Sequence, residues 1–173
     1  MSWLERILGG GREAGGRAST ASVRRIAEEL DRWPPERAHH VAAFACVLAR
    51  VAQADLQVDD QERRSMETQL AEVGGLDAEE ARAAVELAVA QGATDHYLAT
   101  REFKERSDKG ERARLVDCAF AVAAADGSIS ADESHVALAV AEELGFSRPE
   151  ALGLRLRWRE HLAELRPAGD DSD

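Results

Sequence analysis

Apolar residues recur three and four apart along most of this chain, the spacing of one face of a helix, and no stretch alternates as a strand would. The clearest run is Val41, Phe44, Ala45, Leu48, Val51 and Ala52. It predicts a helix from about Pro35 to Ala54, entered through Pro34-Pro35, where the preceding helix of about Ala21–Trp33 must break. A turn at Leu56–Val58 leads to a helix of about Asp59–Val73, Gly74-Gly75 stops it, and Asp77 starts another running to about Gln91. Thr94–Ser107 reads as one further short helix. The pattern then starts again: a helix over about Lys109–Ala125, a turn at Gly127–Ile129, a helix over about Ser130–Leu144, a stop at Gly145, and a last helix from about Ser147 to Leu165.

The repetition is explicit in the residues. Positions 52–62 read AQADLQVDDQE and positions 123–133 read AAADGSISADE. Asp55 and Glu62 of the first copy correspond to Asp126 and Glu133 of the second, and Gly74 corresponds to Gly145. Leu76 matches Phe146 once one extra residue is allowed in the first copy. The expected fold is all-α, a bundle of about seven to eight helices built from two repeats related by an approximate two-fold. Repeat one covers about 35–92 and repeat two about 108–165, within one domain of residues 21–166. Residues 1–20 form an amphipathic segment, Met1–Leu8, and a glycine-rich linker, Gly9–Thr20; residues 167–173 form an acidic tail.

Composition narrows the function. With 173 residues, 45% hydrophobic and only 5% aromatic, the chain can close one core of small residues in packed helices. Its net charge of −11 repels phosphate backbones, so nucleic acid is not an expected partner, whereas a protein with a basic surface is. No apolar run reaches the length of a membrane span and no secretory leader is evident, so a cytoplasmic location is expected. The Met1–Leu8 segment would give only weak peripheral membrane contact. Cys46 and Cys118 sit in apolar helical runs and read as reduced core thiols. His39 and His40 diverge by about 100° around a helix, so they read as solvated residues and not as a chelating pair. Trp158 reads as core packing with Leu154, Leu162 and Leu165. No nucleophile with a neighbouring base and no phosphate loop is present, which points away from an enzyme.

The acids carry the chemical interest. Asp55 continues the stripe of Phe44, Leu48 and Val51, and Asp126 continues that of Leu115, Ala119 and Val122. Glu62 and Glu133 precede apolar stripes on their own helices. All four are expected to point toward the packing side, where like charges oppose one another. Three compensations are open. A hard divalent cation, calcium, magnesium or manganese, would take Asp55, Glu62, Asp126 and Glu133 as oxygen ligands. Capping boxes, Asp59 with Glu62 and Ser130 with Glu133, would occupy the glutamates without metal. Pairing with an arginine such as Arg50 or Arg114 is the third. An EF-hand is excluded, because its first and third ligand positions would be Val122 and Ala124.

The duplicated Ala-Asp…Glu motif, the glycine-terminated second helices and the segment DHYLATREF (Asp95–Phe103) resemble the TerB-like family of tellurite-resistance proteins and DnaJ-like co-chaperone N-terminal domains. The likeness spans about Ala38–Arg155. It implies paired helical repeats, a metal site at Asp55, Glu62, Asp126 and Glu133, an association with stress responses, and no established enzymatic activity. Leu56 departs from the pattern, standing where the second copy has Gly127.

Overall fold

A computed structural model of the chain describes residues 17–51, 60–91 and 97–165. Among them the chain forms eight α-helices: α1 (Arg17–Leu30), α2 (Pro35–Val51), α3 (Asp60–Glu72), α4 (Ala78–Gln91), α5 (Tyr97–Arg106), α6 (Lys109–Ala123), α7 (Ala131–Glu143) and α8 (Arg148–Leu156). Short 3₁₀ turns follow at Ala124–Asp126 and Ala163–Leu165. The all-α fold is as the periodicity predicts. Helix α1 begins at Arg17, inside the stretch whose composition reads as linker.

Helix α2 is the axis of the bundle. Every residue from Val41 to Ala49 is buried, and the helix packs against α4, α5, α6 and α7. Five of those nine residues are alanine or cysteine, small enough to let neighbours close in on several sides. The sequence pattern described one apolar face; the helix is instead enclosed nearly all round. Its equivalent in the second repeat, α6, is buried from Leu115 through Ala123 except at Asp117. Phe44 and Phe120 are the largest fully buried side chains of these two helices.

The repeat is visible in the helix ends. Gly75 (φ 73°) and Gly145 (φ 90°) both take the left-handed conformation that closes a helix. The next residue then bonds back across the turn: Leu76 N–H donates to the Leu70 carbonyl at 3.2 Å, and Phe146 N–H to the Ala141 carbonyl at 3.1 Å. Gly75, and not Gly74, is therefore the structural counterpart of Gly145. Leu76 and Phe146 then align with no gap between them and their glycines, so the extra residue lies upstream of Gly75.

The capping residues follow the same register. Asp77 and Glu80 exchange capping hydrogen bonds at the start of α4, each 2.9 Å. At the equivalent position of α8, Ser147 N–H donates to Glu150 Oε2 at 2.8 Å. Asp108 and Glu111 form the same box at α6, at 2.8 Å in each direction.

One ion pair ties the repeats together. Arg50, at the end of α2, donates from both terminal nitrogens to the two carboxylate oxygens of Glu143 at 2.7 and 3.0 Å. Thr100 of α5 adds a hydroxyl at 3.2 Å. Among the described residues Arg50 thus serves the end of α7.

The last element differs from expectation. Helix α8 ends at Leu156, and residues 157–161 continue as turns. Ile129 N–H donates to the His161 carbonyl at 2.7 Å and the Ile129 carbonyl accepts from Ala163 N–H at 3.0 Å, a single parallel bridge between the turn and this segment. Ile129 and Leu162 are both fully buried, so the segment is pulled off helical course to close the core. Trp158 is half-buried against the core, whereas Leu165 is exposed.

Candidate functional site

The second acidic turn is fully described. Helix α6 gives way at Ala124 to a 3₁₀ turn that ends at Asp126, followed by Gly127 in the left-handed region at φ 94°. A Cβ at Gly127 would meet nothing within 4 Å, so glycine is needed there for its backbone conformation and not for space. Gly127 N–H donates to the Ala124 carbonyl at 2.8 Å, and Ser128 N–H donates to Asp126 Oδ1 at 3.0 Å. The aspartate therefore folds its own turn. Ser130 then caps α7: its amide and its hydroxyl both donate to Glu133 Oε2 at 2.8 Å, and its hydroxyl oxygen accepts from Glu133 N–H at 3.2 Å.

The placement of Asp126 corrects the helical arithmetic. Its stripe partners Leu115, Ala119 and Val122 are buried as expected, yet Asp126 itself is exposed. A 3₁₀ turn advances about 120° per residue against about 100° for an α-helix, so three such residues swing the side chain roughly 60° off the stripe. Glu133 is half-exposed at the start of α7. Each acid uses one carboxylate oxygen in shaping the turn, and the second oxygen accepts no hydrogen bond among the described residues.

Asp55, Leu56 and Asp59 lie outside the described residues. Glu62 belongs to α3, but its side chain also lies outside them. Among the described residues no three His, Cys, Asp or Glu side chains group closely enough to hold a metal ion. Asp126 and Glu133 are the described half of the expected set. In kind they suit a hard cation: two carboxylates at one turn, open to water, with oxygen to spare.

The histidines were underestimated by the sequence pattern. His39 is buried, with Nε2 3.7 Å from Glu102 of α5, and burial lowers its pKa, Arg106 adding to the effect. His40 is half-buried, its ring 4.9 Å from that of Phe44 and 5.4 Å from that of Phe103; burial lowers its pKa too. The signal for both was the alanine-rich run that follows them, which makes α2 a central helix. Cys46 and Cys118 are free buried thiols, as expected, and burial pushes both pKa values up to about 12.

His40 lies in a solvent-open pocket of about 360 Å³ between the start of α2, the α3–α4 junction and the start of α6. This is the end of α2 and α6 remote from the acidic turn. Among the described residues no helix is long and apolar enough to cross a membrane.

No curated protein and no solved structure matches the chain significantly. The family model described as tellurite resistance protein TerB matches residues 40–156, from His40 in α2 to the end of α8, and so spans both repeats. A match over that share of the chain, on a fold of two helical repeats joined through α5, establishes that the protein belongs to the TerB family.

Proposed function

We propose that this chain is a non-enzymatic, stress-associated interaction module of the cytoplasm, recruiting a partner with a basic surface and holding a divalent cation at its duplicated acids. Calcium, magnesium or manganese would be bound by Asp126 and Glu133 together with Asp55 and Glu62. The bound ion would neutralise the acids and fix the orientation of the two repeats. The observation that carries this reading is the half-used state of Asp126 and Glu133: one oxygen of each builds the turn and the other stays available. The acidic net charge of −11 supports the choice of a basic partner.

The test is isothermal titration of calcium, magnesium and manganese into the parent chain and into Asp55→Asn combined with Asp126→Asn. Saturable heat that disappears in the double variant is expected. Equal heats in both proteins would remove the site.

A second reading has an observation in its favour. The Asp126–Ser128 turn and the Ser130–Glu133 capping box account for both described acids without any ion. The protein would then be a metal-free helical scaffold, with Met1–Leu8 as a weak membrane or partner anchor. That reading predicts a melting temperature unchanged by chelator.

A further inference from the structure

The pocket around His40 has a chemical character distinct from the acidic turn. His40 lines it, with its imidazole packed against Phe44 and Phe103. Glu36, Glu80 and Glu111 bring carboxylates to its walls, and Arg37 and Arg114 bring guanidiniums.

Those two cations are not equivalent. Arg37 is already spent: it donates to Glu80 at 2.8 Å, to Asp77 at 2.8 Å and to Glu79 at 3.1 Å, and it lies 4.1 Å from the Trp33 ring centre. Arg114 is exposed and makes no ion pair with a described residue; neither does Glu36. Three carboxylate residues thus line the concavity with two arginines, and Arg37 is already paired with Glu80.

Backbone geometry adds to this. The wall at Gly74-Gly75 has no side chains, and a Cβ at Gly75 would meet only Arg114 Cδ, at 3.9 Å. This wall is also the C-terminal end of α3, where the helix dipole favours positive charge. Burial lowers the pKa of the imidazole, and its ring offers a flat surface on which a planar cation can stack. The volume is in the lower range of small-ligand pockets.

We propose that this pocket receives an arginine side chain of a protein partner, with the guanidinium between Glu36 and Glu111 and its plane against His40. This inference rests on the reading of the protein as a recruiter of basic partners and names where the recruitment occurs. Arginine suits the site better than lysine, because a planar fork can meet two separated carboxylates and stack on a ring at once.

The experiment is a ¹H–¹⁵N titration of the whole chain with N-acetylarginine amide, and with N-acetylcitrulline amide as the uncharged analogue of the same shape. The arginine probe should give saturable shifts at the Gly74 and Gly75 amides and at the His40 ring, with citrulline at least about fivefold weaker. Glu36→Gln, an exposed change, should weaken the arginine probe by about threefold, the size of one solvent-exposed charge contact. Arg114→Ala should strengthen it by a similar factor, since it removes the protein's own competing cation. Weaker arginine binding in Arg114→Ala, equal binding of citrulline, or no saturable shifts at these groups would each overturn the proposal. Cation titration at the duplicated acids uses another probe and other residues. A chain that passes that test and fails this one loses only the pocket assignment.

Discussion

The pair Arg50–Glu143 offers a quantitative test of how the repeats are held together. The two side chains are only 21% and 24% exposed and meet through two hydrogen bonds of 2.7 and 3.0 Å. A solvated surface pair is worth about 0–1 kcal/mol, whereas removing one partner of a buried pair costs about 3–5 kcal/mol. Partial exposure places this pair between those limits. Arg50→Met and Glu143→Met should therefore each cost about 2 kcal/mol, largely because the remaining charge keeps its poor hydration and loses its partner. Glu143 also accepts from the buried Thr100 hydroxyl, so Glu143→Met loses one hydrogen bond more than Arg50→Met and should be the worse of the two. In the double variant neither orphan charge remains, and its cost should fall short of the sum by about 1.5 kcal/mol. Urea unfolding of the four proteins measures the cycle, with melting temperatures of the single variants lowered by about 4–8 °C at this chain length. Because the pair is partly sheltered, about 0.5 M salt should remove less than half of the coupling. A coupling below about 0.3 kcal/mol would show the pair to be a solvated surface contact, and the cross-repeat clamp would be refuted.

Three further outcomes follow from the same physics. Gly74→Ala should destabilise by about 1–3 kcal/mol through overpacking, because its Cβ would fall 2.5 Å from the Leu70 carbonyl oxygen and 2.7 Å from Phe44. Gly153→Ala, inside α8 with nothing within 4 Å, should instead stabilise by about 0.5–1 kcal/mol; thermal melts of the pair compare the signs directly. The Glu150 carboxyl, held at about 2 by Lys109 and by the Ser147 amide and hydroxyl, should titrate far below a free glutamate in carboxyl ¹³C NMR. Its contribution to stability is present above the unfolded value of 4.5 and is lost as pH falls from there toward 2, so Glu150→Gln should flatten the acid limb of the stability curve in that window. Cys46 and Cys118, with pKa values near 12 and no access to solvent, should resist a thiol-specific disulfide reagent at pH 8 in the folded protein and react at once in denaturant.

What could be read from the residues and what could not divides along physical lines. Helix periodicity, glycine stops and Ser/Asp-x-x-Glu capping signals act within a few residues, so α2, α4, α6 and α7 are found close to where the pattern puts them. The register of the repeat at Gly75 needed backbone dihedrals, since two adjacent glycines offer the same residue type at both candidate positions. The exposure of Asp126 was hidden because helical arithmetic assumes one pitch, and a 3₁₀ turn intervenes. The burial of His39 and His40 depends on which helix ends up at the centre of the bundle, a property of the whole packing. The break in the last helix depends on Ile129, far away in sequence from the segment it redirects.

That distant pairing has a practical bearing on any dissection of the protein. The Ile129 backbone, which sits in the turn between Asp126 and the helix start that carries Glu133, is anchored by the amide of Ala163 and the carbonyl of His161. A shortened version ending at Leu156 would retain the eight described helices, Asp126 and Glu133, and yet would leave that turn without its mooring. Experiments on the acids therefore belong on chains that carry residues 157–165 intact.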